Sequence, residues 1–306
     1  MSVYIRQGQM STVLEWQVVT GVGTLVTATP TQNPDLFWAL SGGGGGTYGI
    51  VLSATVKFHP TVTSIFSAIL QFAPPITTEG VAAYWQTIKT FLQLLPLMVN
   101  SGLQISFPHS TKPRFLTLTH PGILLIPTIL QYYNSANFGA NVFNANTAGR
   151  LLPRSVVQND TDSFISILQT IADNGFLMAG VTLEVNKTVV PNAPEISLNP
   201  YWRKTLMNAV FGTYLNYTNF PANFQSQNFM TNTIGPALAA LTPDRVVYLK
   251  EADFQQPDWK REFYGANYDR LDAVKAKYDQ LDIFYALGAV GSDRWVERKD
   301  GHFCEA

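Results

Sequence analysis

From Asn33 to Pro60 the chain reads NPDLFWALSGGGGGTYGIVLSATVKFHP, and three local signals meet in it. Asn33 suits a helix N-cap, Pro34 suits the first helical position where no amide hydrogen is needed, and Leu36, Phe37 and Leu40 form a short apolar face. Ser41 and five successive glycines, Gly42 to Gly46, stop that helix, because glycine loses the most backbone entropy by staying helical. From Ile50 the β-branched residues Ile50, Val51, Thr55 and Val56 predict a strand, which His59-Pro60 ends. The order is helix, loop, strand.

The loop contains a G-x-G-x-x-G match at Gly44, Gly46 and Gly49. A Rossmann site needs a strand before the glycines and a helix after them, so that a pyrophosphate meets a helix N-terminus, and here the helix comes first. A P-loop is excluded as well, since no Lys-Ser or Lys-Thr follows. Five residues without side chains still let a ligand or another backbone approach closely. Two readings stay open: a tightly packed loop and a loop that carries a cofactor.

Composition narrows the function classes. With 306 residues, 46% hydrophobic and 13% charged, the chain is globular and long enough for one large core or two smaller ones. The net charge of -1, from 20 basic and 21 acidic residues, gives no footprint for nucleic acid or an acidic membrane. Cys304 is the only cysteine, and the four histidines, His59, His109, His120 and His302, lack metal-ligand spacing, so no metal site is expected. The apolar runs Phe91 to Val99 and Gly122 to Leu130 are too short to span a bilayer. No signal peptide is expected from SVYIRQGQ after Met1, and localisation and oligomeric state stay open.

Along the chain, Val13 to Thr20 and Thr24 to Thr29 predict a hairpin with a bulge at Gly21-Val22-Gly23. Ser64 to Phe72 reads as a strand, and Thr78 to Leu95 as a helix with Val81, Tyr84, Ile88, Phe91 and Leu95 on one face. Residues 103–135 fit no period. A helix is expected over Thr161 to Ala172, closed by Asn174-Gly175, with strands at Met178 to Val185 and Lys187 to Val190. Asn228 to Leu241 reads as helical, and Tyr201-Trp202-Arg203 as either helix or strand. Val246 to Leu249 predicts a strand that runs into Lys250, Glu251 and Asp253, charges that either are solvated or belong to a site. Leu271, Val274 and Tyr278 share a face of a helix after Asn267-Tyr268.

NPDLFWALSGGGGGTYGIV near the start, and YLKEADF, WKREFYGANYDRLDAVKAKYD and IFYALGAVGSDRW near the end, resemble the C-terminal portion of FAD-linked oxidoreductases of the berberine-bridge-enzyme type. They are most similar to the fungal secondary-metabolite members. VLEWQVVT, GRLLPRSV and NPYWRK fall between or before these in the family's order.

The resemblance implies an α+β, vanillyl-alcohol-oxidase-like architecture. Residues 1–60 would be the C-terminal part of a PCMH-type FAD-binding domain, 61–245 a substrate domain with an antiparallel sheet covered by helices, and 246–306 a segment returning to the FAD domain. It lays Gly45, Gly46, Tyr48, Gly49, Ile50 and Val51 along the ADP half of FAD through backbone contacts, with Tyr248 beside the isoalloxazine, Lys250 nearby and Asn267 towards the pyrimidine side. Glu251, with Tyr248, would be catalytic, Glu251 standing where the fungal subgroup carries its glutamate base. Two departures accompany the match. The family's residues before the first hairpin, which hold the pyrophosphate loop and the covalently flavinylated histidine, have no counterpart here, and Lys250 replaces an asparagine and offers only donors. Two functions compete: oxidation of a small organic substrate by hydride transfer to FAD with dioxygen as reoxidant, or a non-catalytic remnant that does not hold FAD.

Overall fold

The computed structural model describes residues 13–58, 65–67, 71–72, 77–109, 116–117, 124–126, 145–185, 195–244, 246–298 and 300–306. In chain order it has β1 (Val13–Val19), β2 (Leu25–Ala28), α1 (Pro34–Leu40) and β3 (Ile50–Val56). There follow β4 (Ile65–Ser67), β5 (Gln71–Phe72), α2 (Thr78–Asn100), β6 (Ser106–His109), β7 (Leu116–Thr117) and β8 (Leu124–Ile126). Next come β9 (Ala145–Pro153), α3 (Arg154–Gln158), α4 (Thr161–Asp173), β10 (Leu177–Thr182), β11 (Thr205–Tyr214), α5 (Phe220–Phe229) and α6 (Gly235–Leu241). The chain ends with α7 (Tyr268–Tyr278), β12 (Trp295–Glu297) and β13 (Phe303–Glu305). Among the described residues no helix is long and apolar enough to cross a membrane.

The chain divides into two compact units. One is built from His59–Glu184 and Lys204–Gln255, the other from Tyr4–Phe58, Val185–Arg203 and Gln256–Ala306. Both combine helices with antiparallel sheets, the α+β class expected.

Among the described residues the first unit has a six-stranded antiparallel sheet in the order β5-β7-β6-β10-β11-β9 with helices on one face, and β4 pairs separately with β8. Strand residues alternate between faces, so Met207, Ala209 and Phe211 of β11 enter the core with their register partners Leu152 and Ala148 of β9 and Met178 of β10. Against them pack Tyr84, Ile88, Phe91 and Leu95 of α2, Phe164, Leu168 and Ile171 of α4, and Leu238 of α6. Gly180 makes room for this layer, since a Cβ there would lie 2.4 Å from the Phe107 ring. The other face of β11 carries Asn208, Val210 and Gly212.

Several expectations need correction here. Helix α2 begins as predicted, with the Thr77 hydroxyl accepting from the Gly80 amide at 3.0 Å, but it runs through Pro96 to Asn100, and Val81 is exposed. Ser106–His109, in the stretch that fitted no period, is a strand paired with β10. Its pattern is broken because Phe107 alone supplies a deeply buried apolar side chain on the described part of the strand. Pro200–Lys204 is a 3-10 turn leading into β11, which settles the ambiguity at Tyr201-Trp202-Arg203. The predicted strand at Lys187 to Val190 and the His59-Pro60 stop lie outside the described residues.

In the second unit β1 pairs with β2 on one side and β3 on the other. The hairpin register runs without a shift from Trp16↔Ala28 to Val19↔Leu25, and the irregularities fall instead on the β1–β3 ladder. Asn33 occupies the N-cap position of α1 but with φ 47°, and its side chain donates to the Thr27 carbonyl at 2.8 Å rather than capping the helix. Helix α7 lies along α1, with Lys277 2.7 Å from Asp35 and the Tyr278 hydroxyl donating to the same carboxylate at 2.9 Å.

Lys275 is the centre of this unit. Its ammonium is buried and donates to Asp279 at 2.6 Å, to the Phe284 carbonyl at 2.9 Å and to the Thr47 carbonyl at 3.1 Å. Asp279, equally buried, also accepts from the amides of Ile283 and Phe284 at 3.0 Å each. It sits so close to the first hairpin that a Cβ on Gly21 would lie 2.4 Å from its Oδ1. Removing one partner of a buried pair leaves an uncompensated charge, which typically costs about 3–5 kcal/mol. Lys275→Met is expected to lower unfolding free energy by about that amount, read as a lower urea midpoint at unchanged slope.

Candidate functional site

The sequence-predicted site residues fall into both units. Tyr248, Lys250 and Glu251 belong to the first; Gly45, Gly46, Tyr48, Gly49, Ile50, Val51 and Asn267 belong to the second. Each half has its own geometry.

In the first unit, Val246 to Glu251 does not form the expected strand. One ladder bond, the Leu151 amide donating to the Val246 carbonyl at 2.9 Å, ties it to β9, after which Leu249–Glu251 turns into a 3-10 helix closed by the Glu251 amide on Tyr248. Gly149 of β9 permits this course: a Cβ there would stand 3.1 Å from the Glu251 carbonyl. The backbone can therefore come up against β9 and bring its carboxylate to β11. There the Asn208 Nδ2 donates to Glu251 Oε2 at 2.5 Å. Lys250 is exposed, whereas Glu251 is half-buried.

Burial pushes the Glu251 carboxyl above the ordinary carboxylate range, against the opposing pull of the Asn208 hydrogen bond. Burial and then the nearby Glu251 charge push the Tyr248 phenol up as well. A phenol raised in this way stays protonated at neutral pH, so Tyr248 can donate a hydrogen bond but is a poor base. The residue missed in the sequence is Asn208. Its signal was a single amide side chain within the apolar run LMNAVF, where a strand face buried on both sides has no use for one.

In the second unit the glycine loop divides residue by residue. A Cβ at Gly43 would meet Leu271 at 2.5 Å, the Tyr48 hydroxyl at 2.6 Å and the Ala39 carbonyl at 2.7 Å; one at Gly49 would lie 2.5 Å from Val18. These two glycines serve protein packing. At Gly45 and Gly46 a Cβ would meet nothing within 4 Å, so the tip of the loop is open. Tyr48 is fully buried and its hydroxyl donates to the Gly43 carbonyl at 3.0 Å, with burial first among the causes that hold its phenol well above the ordinary range. Any ligand contact from Tyr48 is therefore through its backbone. Ile50 and Val51 of β3 are exposed. The Asn267 side-chain amide donates to the carbonyls of Ser197 and Leu198 at 3.1 Å each, and Ser197 in turn donates to Ala39 at 3.0 Å, so Asn267 braces the segment that lies against Gly42.

The family model described as "Berberine and berberine like" matches residues 247–290. The FAD-linked oxidoreductase patO of Aspergillus clavatus is 36% identical over 95% of this chain and 56% of its own length. The chain is similar to FAD-linked oxidoreductases of the berberine-bridge type. The VAO-type flavoprotein oxidase VAO615 of Thermothelomyces thermophilus is 32% identical over 96% of this chain and 56% of its own length. The crystal structure of the VAO-type flavoprotein MtVAO615 from Myceliophthora thermophila C1 superposes with a TM-score of 0.82, at 28% identity, over 99% of this chain and 61% of that one. A variant of berberine bridge enzyme shares the fold alone, with a TM-score of 0.70 at 12% identity over 92% of this chain and 66% of that one. The chain thus spans 56% of the length of the curated relatives just named. FAD is in the name of patO, and VAO615 is named a flavoprotein.

Two outcomes follow from the geometry. Gly43→Ala should destabilise the chain by about 1–3 kcal/mol through overpacking, while Gly45→Ala should leave stability within about 0.5 kcal/mol, both read from urea midpoints. Because the folded Glu251 carboxyl lies above its unfolded value, ionising it costs stability that is absent below the unfolded value and grows as pH rises through the folded one. Glu251→Gln should therefore raise Tm relative to the parent near pH 8, with the difference shrinking towards about pH 4.

Proposed function

We propose that this chain supplies the base and part of the cofactor cradle of an FAD-linked oxidoreductase that acts on a small organic molecule, with dioxygen as final acceptor and a role in secondary metabolism. The observation that supports it most is Glu251: a half-buried carboxylate, raised by burial and held by a neutral amide on the face of the sheet that the core helices leave free. A general base works best with a pKa near the operating pH, and burial moves Glu251 in that direction.

The residues present fit FAD. The loop tip at Gly45 and Gly46 leaves open the space that side chains would fill, which suits close approach of a nucleotide to the backbone. Gly45, Gly46, Tyr48, Gly49, Ile50 and Val51 would hold it by main-chain groups, and Tyr248 and Lys250 would lie beside the ring system. When bound, FAD supplies the hydride acceptor. Glu251 takes the proton of the substrate group being oxidised, Asn208 keeps the carboxylate in place, and Tyr248 offers a phenolic hydrogen bond. Lys275, through the Thr47 carbonyl, fixes the base of the glycine loop.

The test is anaerobic flavin reduction in a complemented form of the chain. Loss of a general base typically slows the step by roughly 100- to 10,000-fold, and Glu251→Gln should fall in that range while retaining flavin. Reduction within about threefold of the parent, far short of that loss, would assign the base elsewhere. A chain that stays colourless after incubation with FAD would favour the competing reading, a remnant that does not hold the cofactor.

A further inference from the structure

Asn208 lies within β11 between the core residues Met207 and Ala209, and one end of its amide is used. Nδ2 donates to Glu251 Oε2 at 2.5 Å, whereas Oδ1 is buried and finds no hydrogen-bond partner among the described residues. A buried carbonyl without a donor is a standing cost, and a leucine of similar volume would avoid it. The chemistry of the neighbour gives the orphan oxygen a use. An ionised carboxylate only accepts, but a carboxylic acid has an O–H to donate. When Glu251 takes up a proton on Oε2, the oxygen that faces Asn208, Nδ2 meets an O–H and the bond is weakened unless the amide turns. Half a turn about Cβ–Cγ exchanges Nδ2 and Oδ1 and restores it.

We propose that Asn208 is a positioning residue matched to both protonation states of Glu251, its amide inverting as the carboxyl gains or loses a proton. The groups around the pair are compatible with this. On the segment of Glu251 itself, Tyr248 offers a phenol, Lys250 is exposed, and Asp253 is engaged by Gln227 and Thr231. On β9, Arg150 shares the core-facing side of the sheet with Ala148 and Leu152, away from the Asn208 side, and Leu151 and Gly149 present no charge to the carboxylate. The hydrogen bond to Glu251 thus comes from a neutral, invertible group. A cation in that place would hold the carboxylate ionised; an amide that serves both states lets Glu251 take a proton in one half of a turnover and return it in the other.

The inference rests on Glu251 as the base, yet its test needs neither flavin nor substrate. Infrared difference titration of the whole chain, with Glu251→Gln as the background that isolates the Glu251 band, is compared between the parent and Asn208→Leu. The expected result has two parts. The protonated carboxyl stretch lies at lower frequency in the parent, because the acid is hydrogen-bonded to the amide there and has no such partner in the variant. The titration midpoint also moves by less than about one pH unit in the variant, since a partner serving both states largely cancels. An identical stretch in both proteins would overturn the proposal. So would a midpoint raised by roughly one to two units, the shift expected of a donor that serves the ionised form alone. If Asn208→Leu does not fold, Asn208→Ser, whose hydroxyl is too short to bridge to Glu251, is read by the same criteria. Failure here leaves the flavin-reduction result for Glu251→Gln untouched, so the two claims fail separately.

Discussion

The second unit depends on a single buried ammonium. Lys275 joins the glycine loop at Thr47, its own helix at Asp279 and the following loop at Phe284, three segments drawn from opposite ends of the chain. Hydrophobic burial is non-directional and could not set these backbones to within a hydrogen-bond length of one another. Three donors on one nitrogen can, and desolvating the charge is tolerable because each donor finds an acceptor. Gly21 has no room for a side chain beside Asp279 for the same reason. The loop whose tip is open at Gly45 and Gly46 is therefore rigid at its root.

The first unit meets the opposite problem, which is to place a charge on a sheet without burying it completely. Its core face is filled by α2, α4 and α6, so the carboxylate has to arrive on the other face. Gly149 admits the backbone and Asn208 receives the side chain, one by lacking atoms and the other by offering a neutral donor. Neither residue bears a charge, which leaves desolvation as the dominant influence on Glu251.

Much of this was legible in the sequence because it was periodic or punctuated. Pro34 and the glycine run marked α1 and its end, the spacing of Tyr84, Ile88, Phe91 and Leu95 gave α2, and Gly175 with φ 79° closed α4. Where structure depends on a tertiary partner, pattern reading stopped. Val246 to Leu249 has the composition of a strand, but among the described residues β9 offers it one ladder bond and the chain curls into a 3-10 turn instead. Among the glycines, composition could not separate Gly43 and Gly49, wedged against neighbours, from Gly45 and Gly46, which face open space. Asn208 was visible only as an oddity in an apolar run; its meaning came from Glu251, which lies 43 positions later.

β3 is a strand in which all seven residues are exposed, held to β1 by a ladder with two register irregularities. Among the described residues its order is maintained by main-chain bonding from one side, with almost no desolvation of its own side chains to reinforce it. Local opening free energy follows buried contacts as well as backbone bonds, so the amides of β3 should be among the first in this unit to exchange with solvent deuterium, ahead of those in β1. The strand that follows the glycine loop is in that sense thermally soft while the root of the loop is stiff. A nucleotide lying along both would meet a fixed anchor at one end and an adjustable rail at the other.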